Sequence, residues 1–271
     1  MPNVINTNIK SLVAQQASNV NERAMDTAMQ RLSTGKRING AADDAAGLAI
    51  SNRMTAQIRG LDMGVRNAND GISMLQTVEG ASTTITNMLQ RMRELAVQSA
   101  NGSYEGADRT AIQAEFTALS SEINHIASDT LWNGVSRGNS TDTVTFQIGS
   151  ATGSTMTFTF QNLATVASAA TAAGVTTTSA STTAISSIDT AIAAVDSYRG
   201  SLGATVNRLN YAADNLANVS NNASASRSRV LDTDYAQATT ELARTQIIQQ
   251  AATAMLAQAN QSTQNVLTLL R

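Results

Sequence analysis

The 271-residue chain contains no cysteine, one proline (Pro2), one histidine (His125) and one tryptophan (Trp132), and its aromatic fraction is 3%. Each scarcity excludes something. Without cysteine there is no disulfide framework, no thiol nucleophile and no zinc–thiolate site. With the only proline at position 2, nothing further along breaks a helix through proline chemistry, so long uninterrupted helices are permitted. Aromatic side chains supply much of the buried area of a compact core, and their scarcity argues against a conventional globular one. A net charge of -2, with no basic tract, gives no reason to expect nucleic acid or an anionic membrane as a partner. The first thirty residues lack a continuous apolar core, which predicts no Sec-type signal peptide, and no transmembrane run is apparent.

What is abundant is helical periodicity. Near the N-terminus Ile5, Ile9, Val13, Ala17, Val20, Ala24, Ala28 and Leu32 recur three or four residues apart. At the other end Ile248, Ala252, Met255, Ala259, Ser262, Val266 and Leu269 alternate four and three. Both read as the apolar seam of a helix that packs along another helix. Two such helices paired only with each other leave much apolar surface wet, so the ends are expected to be completed by other molecules.

A second helical stretch runs from about Asp44 to about Ser99, with a seam through Ile50, Met54, Gln57, Leu61, Gly64, Ala68, Gly71, Leu75, Val78, Ser82, Ile85, Leu89, Met92 and Ala96. The glycines weaken it by about 1 kcal/mol each, and close helix approach is the expected compensation. Gly35 suits a helix C-terminal cap, Asn39-Gly40 a turn, and Asp43 or Asp44 the next N-cap. A third helix carries Ile112, Phe116, Leu119, Ile123, Ile126 and Thr130, and the short connection before it implies an antiparallel pair. The period then changes to two, in Thr143–Ile148 and Thr155–Phe160, a β-hairpin. Val166–Thr183 is nearly all Ala, Ser and Thr and reads as a surface insert. A last internal helix has its seam from Ile185 to Ser220, followed by a polar patch, Ser220–Ser226, before the terminal helix. The expected fold is mainly α: long antiparallel helices in a coiled-coil bundle with a small β-hairpin region. Its expected parts are 1–43 (terminal coiled coil and connector), 44–140 (long helices of an outer rod), 141–183 (hairpin and insert), 184–227 (returning helix) and 228–271 (terminal coiled coil).

Chemistry is sparse. A lone His125 beside Ile126 has no second histidine or cysteine with which to hold a metal. Asp43-Asp44 and Asp232/Asp234 sit at helix starts, where capping explains them better than acid–base work. No phosphate-cradling glycine motif occurs. Arg91 and Glu94, off the Leu89/Met92 seam, read on their own as a solvated helix face. The C-terminal run Val266–Arg271 is apolar on more than one side, which argues for burial against a partner.

These segments together resemble the bacterial flagellins. The resemblance rests on MPNVINTNIKSLVAQ at the start, QRLSTGKRINGAADDAAGLAISNRM (Gln30–Met54), LQRMRELAVQSANG (Leu89–Gly102), IQAEF (Ile112–Phe116) and the block Ser228–Arg271. It implies a non-enzymatic, cofactor-free filament subunit in a secreted, extracellular flagellum, exported unfolded and ordered at its ends on assembly. Terminal-domain assembly would fall to Ile5, Ile9, Val13, Val20, Leu32, Ile248, Met255, Val266 and Leu269. The implied partners are further copies of the chain, an export chaperone, the filament cap and hook-junction proteins. Host sensors would be a Toll-like receptor at Gln90, Arg91, Leu95 and Glu115, and an inflammasome sensor at Val266, Leu267, Leu269 and Leu270. Hook–filament junction proteins share the terminal design, but the connector and the Gln90–Leu95 run favour the filament subunit.

Overall fold

A computed structural model describes residues 7–268, with side chains to residue 261. Helix α1 spans Ile9–Thr34, α2 Ala45–Ala100 and α3 Gly106–Asp129. Two short strands, β1 (Leu131–Trp132) and β2 (Val135–Ser136), precede the hairpin of β3 (Thr143–Gln147) and β4 (Thr155–Thr159). Helix α4 covers Leu163–Thr171, α5 Thr178–Leu231 and α6 Tyr235–Thr268. The chain divides into two compact units, one made of the residues up to Ala56 with those from Asn222, the other of Gln57–Asn221.

The inner unit of the sequence, 57–221, holds the main core. From Leu61 onward the predicted α2 seam is buried, with Leu75, Val78, Ile85, Leu89 and Met92 fully so. Nearer the start the pattern departs from expectation: Ile50 is 40% exposed, and Ile58 is buried instead of Gln57. The α3 seam is placed as expected, with Ile112, Phe116 and Ile123 in the core. Helices α2 and α5 run antiparallel: Arg93 meets Asp189, Glu79 meets Arg199 and Asp62 meets Ser220.

The hairpin pairs Thr143 with Thr159 through Gln147 with Thr155. Val144↔Phe158 and Phe146↔Met156 share the inward face, and the intervening threonines are exposed, as strict alternation requires. Gly64 and Gly71 of α2 do serve close approach, to Leu216 and Leu209 of α5 and, more tightly, to this hairpin, which Gly60 also meets. A Cβ on Gly60 would meet Ser150, on Gly64 the Ile148 carbonyl, and on Gly71 the Phe146 ring.

Two expectations fail in this unit. The Ala/Ser/Thr-rich stretch is not a surface insert: α4 packs on α3 with Leu163, Ala167 and Ala170 fully buried, and α5 begins at Thr178. Alanine has high helix propensity and buries without side-chain entropy loss, so the segment folds on little apolar area. The loop between them is anchored, since Ser99 donates to the Val175 carbonyl at 2.6 Å and Gln113 accepts from its N–H. The polar patch Ser220–Ser226 does not interrupt the chain either. Helix α5 continues through it to Leu231.

The other unit holds the terminal helices. The connector behaves as its residues predict. Gly35 ends α1 in the left-handed conformation at φ 68°. Asp43 accepts from the N–H groups of Asn39 and Gly40, and Asp44 caps α2 through the Gly47 N–H at 2.8 Å. Asp234 caps α6 through Ala236. The Thr233 N–H returns to the Gly35 carbonyl at 3.0 Å, and Arg37 binds the last carbonyls of α5, so α1 ends and α6 begins at one pinned junction.

Candidate functional site: the terminal helix pair and the Arg91 face

Helices α1 and α6 pack side by side and antiparallel. Their contact face coincides with the apolar stripes only in part, at Ala28, Leu32, Ala252 and Ala259. On α1 the side chains turned inward are Ser11, Ala14, Ser18, Asn21, Met25, Ala28 and Leu32; on α6 they are Ala238, Leu242, Thr245, Gln249, Ala252, Leu256 and Ala259. Both sets alternate three and four, but they are dominated by small and polar residues. Asn21 Nδ2 donates to the Thr245 carbonyl at 2.8 Å and to Gln249 Oε1 at 3.1 Å; Gln249 Nε2 donates to Ser18 Oγ at 3.2 Å.

Met25, Leu32, Leu242 and Leu256 are the large apolar side chains in this contact; others lie outside it. Ile9 is 58% exposed, Val13 61%, Val20 52% and Met255 64%. With Ile248 they border one continuous groove between the two helices, whose distal part has a volume of ≈ 890 Å³. The two helices pair as expected, and the pairing leaves apolar surface uncovered: small residues permit close helix approach in a single chain, and Ile9, Val13, Val20 and Met255 are left over. Leu32 is half-buried on the contact face. Ile5, Leu269 and Leu270 lie outside the described residues; Val266 and Leu267 fall in the α6 backbone with side chains outside them.

The second expected surface is only partly assembled as read. Arg91 donates from Nε and Nη2 to Glu115 Oε1, at 3.1 and 2.9 Å, and from Nη1 to Glu94 Oε2 at 2.9 Å. This bridges α2 and α3, and the hydrogen bonds to Glu94 and then Glu115 hold the guanidinium protonated still more firmly than usual. Gln90 is exposed beside it. Leu95 is not on this face: it is 2% exposed and belongs to the core. Its spacing of three from Met92 was the available signal. Sequence reading also missed the Arg93–Asp189 pair between α2 and α5, at 2.6 Å.

His125 is exposed, and among the described residues no group of three or more His, Cys, Asp or Glu could hold a metal ion. Among them, too, no helix is long and apolar enough to cross a membrane.

Comparison with known proteins matches two family models, the bacterial flagellin N-terminal helical region over residues 5–141 and the C-terminal helical region over 185–270. A flagellin of Halalkalibacterium halodurans is 44% identical over 271 residues, covering 99% of this chain and all of that one. Flagellin D of Vibrio anguillarum is 36% identical over a 372-position alignment covering 98% of this chain and 99% of that one. Among solved structures, a crystal structure of Bacillus cereus flagellin aligns with a TM-score of 0.51 at 32% identity, over 56% of this chain and 88% of that one.

Proposed function

The chain belongs to the bacterial flagellin family, the non-enzymatic subunits that polymerise into the flagellar filament of motile bacteria, and from this we propose that assembly runs through the groove of its terminal helix pair. The occupant is the terminal pair of a second copy. The observation that carries this is the exposure of Ile9, Val13, Val20, Ile248 and Met255 beside a contact face made of small and polar side chains. Burying that stripe contributes roughly 25 cal/mol per Å². A stripe that meets a different surface of the next copy makes a contact that does not close, and so an open helical polymer.

The finer division follows the same logic. The segments 1–43 and 228–271 serve assembly, and 44–227 forms the outer part with the hairpin. The apolar ends gain their full order only when neighbours cover them, because paired helices with exposed apolar faces are marginal alone. That state suits export as an unfolded chain with an export chaperone, followed by insertion under the filament cap beyond the hook-junction proteins. The exposed Gln90, Arg91 and Glu115 form a rigid polar face suited to a host Toll-like receptor, and the apolar run from Val266 to Leu270 is the segment for a cytosolic inflammasome sensor.

Deleting residues 248–271 tests the assembly reading. The truncated chain should retain most of its helical circular-dichroism signal from 44–220 and form no filaments on seeding. Normal filaments from it would refute the terminal-groove reading.

A further inference from the structure

Resting on that assembly reading, we propose that the Ser18–Gln249–Asn21 relay is a positioning device that turns the small, polar faces of α1 and α6 toward each other and so keeps the apolar stripes free for a neighbour. Asn21 is 8% exposed and Thr245 2%, which makes them the buried polar centre of the helix pair. Gln249 sits between two partners, accepting from Asn21 at 3.1 Å and donating to Ser18 at 3.2 Å. Each of these side-chain bonds exists only when these particular faces meet.

The competing arrangement is written in the same helices. On each helix a contact face of small and polar side chains, with Met25 and Leu32 on α1 and Leu242 and Leu256 on α6, lies beside exposed apolar ones, Val13 and Val20 on α1 and Ile248 and Met255 on α6. Hydrophobicity alone favours rotating both helices so that Val13 and Val20 meet Ile248 and Met255, which would close the groove within one chain. That rotation would leave Asn21 and Gln249 without each other, and polar groups that lose their partners in a helix seam carry a penalty. A polar residue at one seam position is a known way to select one packing of a helix pair at some cost in stability. The junction at Gly35–Thr233 fixes where α1 ends and α6 begins, but a hydrogen bond at one end leaves the rotation of the far turns free; the relay lies farther out along the pair.

The test compares the full-length wild-type chain with Asn21→Leu and Asn21→Gln. Two readings are taken: far-ultraviolet circular dichroism of the dilute monomer, and the critical concentration for seeded filament growth. Replacing a residue that only stabilises the structure would lower helicity and raise the critical concentration. The relay predicts instead that helicity and the critical concentration rise together. Asn21→Leu should raise monomer helicity and raise the critical concentration about tenfold, equivalent to about 1.4 kcal/mol. Asn21→Gln, which keeps the amide, should restore growth toward wild type without the gain in helicity. Lower helicity in Asn21→Leu, or growth equal to or better than wild type, overturns the proposal. A wild-type chain that never grows from seeds sinks the assembly reading itself, and the helicity of Asn21→Leu still decides whether the relay disfavours the closed pair.

Discussion

Gly71 on α2 lies directly beneath the ring of Phe146 on β3: a Cβ at position 71 would stand 2.9 Å from Phe146 Cε1 and 3.4 Å from Leu209 Cδ1. Gly80, nine residues further along the same helix, has nothing within 4 Å of such a Cβ. The two glycines should therefore respond oppositely to alanine. Gly80→Ala gains the helix propensity difference, about 0.8–1 kcal/mol, and raises the urea midpoint. In Gly71→Ala the same gain is outweighed by overpacking of about 1–3 kcal/mol against a ring that cannot step aside, so its midpoint falls. Equal shifts of the same sign would mean that the hairpin is not seated on α2 as described.

The Arg93–Asp189 pair gives an acid-side prediction. The Arg93 hydrogen bond holds the Asp189 carboxyl below the usual carboxylate range, and the two Asn39 and Gly40 N–H bonds do the same for Asp43. A carboxyl lowered in the folded state contributes stability that is fully present above its ordinary pKa and is lost as pH falls through the lowered value. Asp189→Asn should therefore flatten the acid limb of a stability-against-pH curve by lowering stability at neutral pH and not at acid pH, a small effect since both side chains are about half exposed. An unchanged acid limb contradicts the pair.

Tyr198 predicts the alkaline side. Burial, reinforced by the Glu79 carboxylate, pushes its phenol up to about 12. A raised pKa contributes stability that is present below the ordinary value of about 10 and lost as pH rises through about 12. Tyr198→Phe should remove one slow-titrating tyrosinate from the spectrophotometric curve and reduce the loss of stability between those values. A Tyr198 that titrates near the ordinary value of about 10 would place it at the surface.

The Arg91 bridge is open to a double-mutant cycle with Glu115→Ala. Both side chains are about half exposed, so solvent screens the pair and the coupling should be weak. Arg91→Ala should thus cost little fold stability while weakening receptor binding to this face at least severalfold. Unaltered receptor binding would remove the face from that role.

The parts legible in the sequence were those where one chain supplies both sides of a contact. The seams of α3 and of α2 beyond Leu61, the alternation of Thr143–Thr159 and the caps at Gly35, Asp44 and Asp234 all read directly. At the terminal helices a stripe states which side chains favour burial, but not whether this chain or a neighbour buries them, so the polar face of Ser18, Asn21 and Gln249 gave no hydropathy signal. Helix α4 was missed for a related reason: Ala167 and Ala170 bury completely yet carry almost no amphipathic contrast against the Ser and Thr around them.

The most direct test is a helical reconstruction by electron cryomicroscopy of filaments grown from the wild-type chain. The account predicts that Val13, Val20, Ile248 and Met255 are covered by the terminal helices of neighbouring copies, with Asn21 still bonded to Thr245 and Gln249 within each chain. Filaments in which those four side chains face solvent, or in which α1 and α6 meet through them inside a single chain, would contradict it.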